Sequence, residues 1–512
     1  MSSENNKRIA KNTMMLYFRM ILTMLVSLYT SRIILNTLGV EDFGIYNVVG
    51  GFVTMFGFLN SAMASATQRF LAFEIGRNDK VQLRNVFSMS VNIHFLIAFA
   101  ILILAETIGL WFVNTQLTIP SERMEAALWV FHFSILTLMV SMVSVPYNAM
   151  IIAHERMGVF AWVSIAEVSL KLLIVFMLQW FGFDKLKLYA VLMFSVSLII
   201  RFIYGIYCNR NFNESKFRFY WDKPLFKTLL SYAGWNLWGN AASVIMGQGV
   251  NILLNIFFGP IVNAARGIAY QVRAASNQFV TNFQMAMNPQ IIKSYASGDL
   301  QYMHQLIFQG AKYSFFLLLT LTLPIILEAE YVLKLWLKIV PDYTVIFTQL
   351  VLVNVLVDCI SGPLMTAAQA SGKIKLYQSL VGGLLILNLP ISYFLLRLSY
   401  PPEITIIVSI IISMVALTIR LLILKRLIKL KIRAFIKDVL LVATKVASLA
   451  LLVPVFLFIK LDDPQMRFFS IMPISVLSTF ISIYFFGLSR VERNIVYRNC
   501  HRLVKVFKIR NR

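Results

Sequence analysis

Apolar runs of about 20 residues or more recur down the whole chain, separated by short polar segments, and that is the length a helix needs to cross a hydrocarbon core of ~30 Å. They predict spans near 13–38, 43–66, 86–113, 126–152, 158–182, 187–208, 228–258, 262–288, 309–330, 343–369, 375–397, 404–425, 436–460 and 467–488. The pattern is that of an all-α polytopic membrane protein with about fourteen transmembrane helices. The first run, Thr13 to Leu38, follows Lys7, Arg8 and Lys11 but exceeds the ~7–15 apolar residues of a signal peptide, so it reads as a retained span. Lys and Arg gather in alternate loops, about 31 on one side against about 8 on the other, which places both termini in the cytoplasm. The opposite loops are short and acidic, with Glu41 and Asp42, Glu122 and Glu125, Glu328 and Glu330, and Asp462 and Asp463.

The spans repeat at an offset of roughly 217–220 residues. With Pro146 set against Pro363, Pro146 to Trp162 runs without a gap beside Pro363 to Ser379, pairing Ala153 with Ala370 and Phe160 with Tyr377. The Gly39 turn after span 1 faces the Gly259 turn after span 7, and FLAFEIGRND after span 2 faces IIKSYASGDL after span 8. Six spans separate the copies, so both halves keep one orientation and are related by an axis along the membrane normal. The expected organisation is a lobe over 1–215 with spans 1–6, a lobe over 216–432 with spans 7–12, spans 13 and 14 over 433–489, and a basic cytoplasmic tail over 490–512. The two six-helix lobes are expected around a central cavity.

Polar residues inside the spans are arranged by face. Span 8 carries Asn263, Arg266, Tyr270, Arg273, Asn277, Thr281, Gln284 and Asn288 at intervals of three or four, a stripe that does not face lipid. Span 7 repeats it with Asn236, Asn240, Asn251 and Asn255, and span 2 more weakly from Asn47. Such residues also glue membrane helices together, which is the reading for span 7 alone. The arginines of span 8 point instead to a water-filled cavity. Each basic group at mid-membrane costs roughly 2.5–3.5 kcal/mol on insertion scales. Arg32, Arg201, Arg266 and Arg420 lie near span ends and can snorkel, while Lys171 has Glu167 one turn away. Arg19 and Arg273 have no acidic residue one helical turn away in the sequence, and Asp358 is a candidate cation or proton site or the counter-ion of an arginine. Arg266 and Arg273 share a face roughly 10 Å apart along the axis and suit successive phosphates, which guanidinium grips bidentately. His94 and His132 read as packed histidines before proton relays.

Composition agrees with the pattern: 59% of the 512 residues are hydrophobic and 14% charged, with a mean hydropathy of +0.74. The net charge of +24 raises nucleic-acid binding, but the basic residues sit in membrane-flanking loops and in a run from Arg490 to Arg512, where they meet anionic lipid headgroups. Cys208, Cys359 and Cys500 have no paired spacing, so neither a disulfide framework nor a metal site is expected. Phosphate-cradling loops, HExxH and GxSxG are absent, no cofactor is implied, and the chain does not read as an enzyme.

LNTLGVEDFGIYNVVGGF (Leu35 to Phe52), ATQRFLAFEIG (Ala66 to Gly76) and the AHERMG and ASGKIK turns resemble the polysaccharide-transport branch of the multidrug/oligosaccharidyl-lipid/polysaccharide exporter superfamily, which includes the O-antigen flippases. The resemblance implies the two-lobed, MATE-like exporter fold, alternating access, and an undecaprenyl-pyrophosphate-linked oligosaccharide as cargo. It also implies polysaccharide polymerase machinery as a partner and the bacterial inner membrane as location. In related lipid II flippases, arginines of the first and eighth spans line a cationic cavity for pyrophosphate. Arg19, Arg266 and Arg273 match that placement, and Asn47, Asn240, Asn251, Tyr270, Asn277, Thr281 and Gln284 are the expected polar lining. Two alternatives stand beside this reading, an ion-coupled multidrug exporter of the same fold and a lipid II flippase.

Overall fold

The computed structural model describes residues 2–54, 57–115, 119–180, 183–337 and 340–494, and among these every regular element is helical. We number the long helices α1 (Ser2–Thr54), α2 (Gly57–Arg77), α3 (Lys80–Thr115), α4 (Met124–Ala153), α5 (Met157–Trp180), α6 (Lys185–Asn211) and α7 (Lys223–Phe258). They continue as α8 (Pro260–Ala296), α9 (Leu300–Leu327), α10 (Thr344–Ala370), α11 (Ile374–Arg397), α12 (Ile404–Ile428), α13 (Ile432–Lys460) and α14 (Pro464–Gly487). Twelve helices among the described residues are long and apolar enough to cross a membrane, which makes this a multi-pass membrane protein. The other two predicted spans, 43–66 and 262–288, fall on the second part of α1 with α2 and on α8. Residues 55 and 56 of the first lie outside the described residues; in the second, the polar stripe of α8 lowers its apolarity below that of the other spans. Of the predicted tail, residues 495–512 lie outside the described residues.

The backbone carries the internal repeat in its left-handed residues. Gly39 (φ 80°), which kinks α1, pairs with Gly259 (φ 77°) between α7 and α8; Asn78 (φ 57°) pairs with Gly298 (φ 80°); Glu155 (φ 60°) pairs with Gly372 (φ 73°). The middle pair fixes the register, because the next residue in each copy, Asp79 and Asp299, accepts from the backbone N–H three residues on. A left-handed turn is the ordinary stop signal of a helix, so equivalent helices end at equivalent places.

By contacts the chain divides into two units. The first comprises Met1–Ala241, Met285–Met303 and Gln369–Ser379, and the second comprises Ala242–Gln284, His304–Ala368 and Leu380–Arg512. Each has an apolar core at equivalent repeat positions. Ile45, Val49 and Val130 belong to one core, and their counterparts Ala265, Ala269 and Phe347 to the other. In the second unit α14 is tied to α9 at both ends: Arg467 pairs with Glu328 at 2.9 Å, and Glu492 accepts from Lys312 at 3.0 Å and from Tyr313.

At one end of the first unit, the repeat builds two reciprocal contacts. Arg69, at the C-terminal part of α2, donates from Nε to the Gln369 carbonyl (3.1 Å) and from Nη2 to the Ala370 carbonyl (2.8 Å), the end of α10. Its guanidinium also lies over the Phe70, Phe73 and Tyr232 rings. Glycine suits position 372, where φ is 73° and a Cβ would lie 2.9 Å from Arg69 Nη2. In the other copy, the turn after α4 presents the Glu155 carboxylate to Gln290 (2.6 Å) and Lys293 (2.5 Å) from α8, and to Arg8 (2.8 Å).

His154, in the same turn, stacks on Phe212 with ring centroids 4.2 Å apart. Burial first, and the nearby Lys293 charge second, push its imidazole down from 6.5 to about 4, with Glu214 and Glu155 opposing and Arg156 adding to the shift. The unfolded chain therefore takes up this proton first as pH falls. Thermal stability is expected to decline between pH 6.5 and about 4, and His154→Gln is expected to flatten that part of a midpoint-against-pH curve.

Candidate functional site

The polar stripe of α8 turns one side toward α7 and another toward a cavity. On the α7 side, Arg266 is buried; its Nη2 donates to the Gly247 carbonyl (3.1 Å) and its Nη1 approaches Asn251 Oδ1 (3.4 Å). Asn263 donates to the same Asn251 oxygen at 2.8 Å. This set satisfies backbone and side-chain groups between two helices, and in the described structure it holds Arg266 and Asn251 in packing roles.

One helical turn further along α8 lies a cavity of about 330 Å³. Tyr270 and Arg273 enter it from α8, Asn354 and Asp358 from α10, and Ser409 and Arg420 from α12. Arg273 Nη2 donates to Asp358 Oδ2 at 3.1 Å, and both side chains are about a third exposed, so the pair borders open space. The Tyr270 ring lies between the two arginines of α8, 4.2 Å from the Arg266 guanidinium and 5.4 Å from that of Arg273. Arg420 Nη1 donates to Ser361 Oγ at 3.0 Å. Asn354 and Asn388 donate to Ser413 (3.1 Å) and Ser409 (2.8 Å), which brace α10 and α11 against α12. Two guanidinium groups thus face one carboxylate, and the excess positive charge suits an anion with several acceptor oxygens.

Of the residues expected from sequence, the cavity brings together Tyr270, Arg273 and Asp358. Arg273, with no acidic residue one helical turn away, is paired with Asp358, 85 residues away in sequence. Gln284 binds α8 to its neighbours by donating to Ser314 Oγ and the Cys359 carbonyl, both at 3.0 Å, and Thr281 donates to the Asn277 carbonyl at 3.0 Å. None of these three residues lines the cavity. Arg19 and Asn240 belong to the first unit, where the Arg19 guanidinium lies 4.7 Å from the Phe160 ring centroid and Asn240 is exposed. Asn47 falls within α1, and its side chain lies outside those described. Arg420, expected to snorkel from a span end, lines the cavity instead, and so do Asn354, Ser361, Asn388, Ser409 and Ser413. Their signal in the sequence is the spacing Asn354, Asp358, Ser361, which puts all three on one face of α10.

Lys171 Nζ lies 2.6 Å from Glu167 one turn away, and His94 is buried with Nδ1 2.7 Å from the Ser90 carbonyl. His132 Nδ1 lies 2.9 Å from Glu106, which sits in a π-helical turn of α3. No group of three or more metal-ligating side chains occurs among the described residues.

The family described as polysaccharide biosynthesis protein matches residues 9–295 of the chain. No curated protein matches it by sequence. Among solved structures, an outward-facing multidrug resistance MATE family transporter of the MOP superfamily aligns with a TM-score of 0.71 at 14% identity, covering 83% of this chain and 96% of that one. A MOP superfamily transporter from Pyrococcus furiosus, whose binding pocket is described as reversed in polarity, aligns at 0.68 and 14% identity over 84% and 96%. The MATE transporter ClbM in complex with Rb+ aligns at 0.68 and 14% identity over 83% and 96%. At these identities the likeness is one of fold, and the fold is that of MATE and MOP transporters.

Proposed function

Because the chain belongs to the polysaccharide biosynthesis protein family, we propose that it moves a polyprenyl-pyrophosphate-linked oligosaccharide across the bacterial inner membrane by alternating access, with both termini cytoplasmic. The observation that carries this reading is the cavity of the second unit, in which Arg273 and Arg420 face the single carboxylate of Asp358. Arg273 is the pyrophosphate ligand, Arg266 is a positioning residue that fixes Tyr270 beside it, and Arg19 is a second phosphate station in the first unit. Anionic headgroups meet the basic cytoplasmic loops, and polysaccharide polymerase machinery takes the delivered unit. Transport is the reading supported here, and catalysis has no set of groups behind it.

Pyrophosphate and Asp358 compete for Arg273, since its two donor edges cannot serve both fully. When the phosphate takes the guanidinium, Asp358 is left in a low-dielectric site and is compensated by a proton or a cation. Cargo binding and ion uptake are thereby linked, and the linkage is reciprocal. Asp358→Asn is expected to tighten pyrophosphate binding several-fold while removing its dependence on pH or sodium. Titration of the purified protein at two pH values and two sodium concentrations checks both parts.

The reading as a whole is tested by thermal stability with and without a polyprenyl-pyrophosphate oligosaccharide, because a ligand that binds the folded state must stabilise it by mass action. The anionic lipid is expected to raise the midpoint in the parent and to lose that effect in Arg273→Ala and Arg19→Ala, while a cationic dye does nothing. Stabilisation by the dye alone would replace the flippase with a multidrug exporter.

A further inference from the structure

The first unit holds a cavity at the positions that the repeat makes equivalent to the charged one. Its volume is about 440 Å³, within the ~300–1,000 Å³ of ordinary small-molecule sites. At the spacing that pairs Gly39 with Gly259, Gly50 takes the place of Tyr270 and Val53 the place of Arg273. At the spacing that pairs Glu155 with Gly372, Thr137 takes the place of Asn354 and Ser141 that of Asp358. Counted from the starts of α6 and α12, Lys185 and Ile404, Ala190 takes the place of Ser409 and Met193 that of Ile412. Six lining positions are therefore shared between the two cavities, and at these the ionised groups of the second, Arg273 and Asp358, are replaced in the first by uncharged ones; the counterpart of Arg420 is Arg201, whose guanidinium lies over the Tyr147 ring and does not line the first cavity.

The replacements have a common direction. Removing Arg273 and Asp358 in favour of Val53 and Ser141 removes the counter-charges, so an ionised ligand buried there would go uncompensated. Glycine at 50 opens the space that the Tyr270 ring fills in the other copy, which accords with the larger volume. What lines the enlarged space is a row of hydroxyls on one face of α4, Ser134, Thr137 and Ser141, beside two aromatic side chains, Tyr46 and Phe133. The rings are held in place: Tyr46 packs edge-on against Tyr189 with centroids 4.8 Å apart, and Phe133 stacks on Trp129 at 5.5 Å and meets Phe194 at 5.6 Å. The Thr137 hydroxyl donates to the Phe133 carbonyl at 2.8 Å and keeps its lone pairs for an incoming donor.

Building on the flippase reading, we propose that this cavity is a subsite for an uncharged saccharide unit of the cargo, and that the two repeats have divided the work of binding one amphiphile. The charged copy holds the anionic linkage and its discharged equivalent holds the glycan. A sugar ring offers an apolar C–H face to an aromatic wall and hydroxyls to hydroxyls, which is the mixture this cavity presents.

The test uses the full-length protein in lipid nanodiscs with two probes measured separately: a panel of free neutral and uronic-acid-containing oligosaccharides, and geranyl pyrophosphate. Gly50→Leu fills the cavity without a backbone clash, the nearest atom to a Cβ at that position being Ser134 Oγ at 3.8 Å. Thr137→Val with Ser141→Ala removes two hydroxyls without adding side-chain volume. At least one class of neutral glycan is expected to bind the parent, to bind Gly50→Leu tenfold or more weakly, and to weaken in the Thr137→Val, Ser141→Ala variant, with geranyl pyrophosphate binding unchanged in both. If geranyl pyrophosphate binds and no neutral glycan does, the subsite is overturned while the flippase reading stands. If neither binds, both are overturned. If Gly50→Leu displaces only a spin-labelled phospholipid chain, the cavity is a lipid crevice and the assignment is wrong.

Discussion

Glu155→Ala is expected to lower the unfolding free energy by about 3–5 kcal/mol, because it removes one partner from a buried ionic cluster and leaves the others uncompensated. The Glu155 side chain is fully buried, it accepts from Gln290, Lys293 and Arg8, and its own carbonyl accepts from Asn12 at 3.0 Å. Burial pushes the Lys293 ammonium down, and the Glu155 carboxylate next to it pushes back up, so Lys293 is the group that suffers when the carboxylate goes. Two companions separate charge from backbone. Glu155→Gly is expected to be about 1 kcal/mol less harmful than Ala, since the residue sits at φ 60° where a Cβ is strained. Adding Lys293→Met to Glu155→Ala is expected to recover part of the loss by removing the orphaned charge. Thermal and denaturant unfolding of the four proteins measures this, and a loss below about 1 kcal/mol for Ala would put the cluster with weak surface pairs.

Arg273→Ala is expected to weaken binding of a pyrophosphate-bearing lipid by on the order of 10- to 100-fold, the value of losing a charge-assisted hydrogen-bonded group from a site of low polarity. Arg273→Lys keeps the charge and loses the fork, and is expected to recover only part of the affinity. Arg266→Ala should behave differently. Arg266 is 7% exposed and engaged with Gly247 and Asn251, so its loss is expected to appear first as a lower thermal midpoint. Titrating each variant with geranyl pyrophosphate alongside a melting curve distinguishes the two arginines. Equal behaviour of the pair in both assays would mean that the cavity as described is not the ligand site.

Much of this molecule is legible one helix at a time. Hydropathy picks out the spans because the bilayer demands apolar segments of fixed length, and the repeat follows from comparing segments without knowing how they pack. The left-handed residues show why that comparison works: Gly39 and Gly259, or Glu155 and Gly372, end equivalent helices whatever side chain occupies the turn. Short-range pairs such as Lys171 with Glu167 follow from helical periodicity. The stripe on α8 was equally visible, and its division was not. Arg266 and Arg273 lie two turns apart on one face, yet one is sealed against α7 and the other opens on a cavity with Asp358 of α10.

By itself, then, the sequence determined the all-helical membrane architecture, the twofold repeat and the polar face of α8, all of which depend on local periodicity and on transfer of side chains from water to lipid. The tertiary structure alone decided which arginine is sealed against α7 and which borders a cavity, that Arg420 joins that cavity, that Glu155 is a buried hub, and that the two halves carry equivalent cavities of different charge. Those outcomes depend on which helix lies beside which. Periodicity states that a face is polar, but the neighbour that satisfies it arrives from 85 residues away for Arg273 and Asp358, or 138 for Lys293 and Glu155.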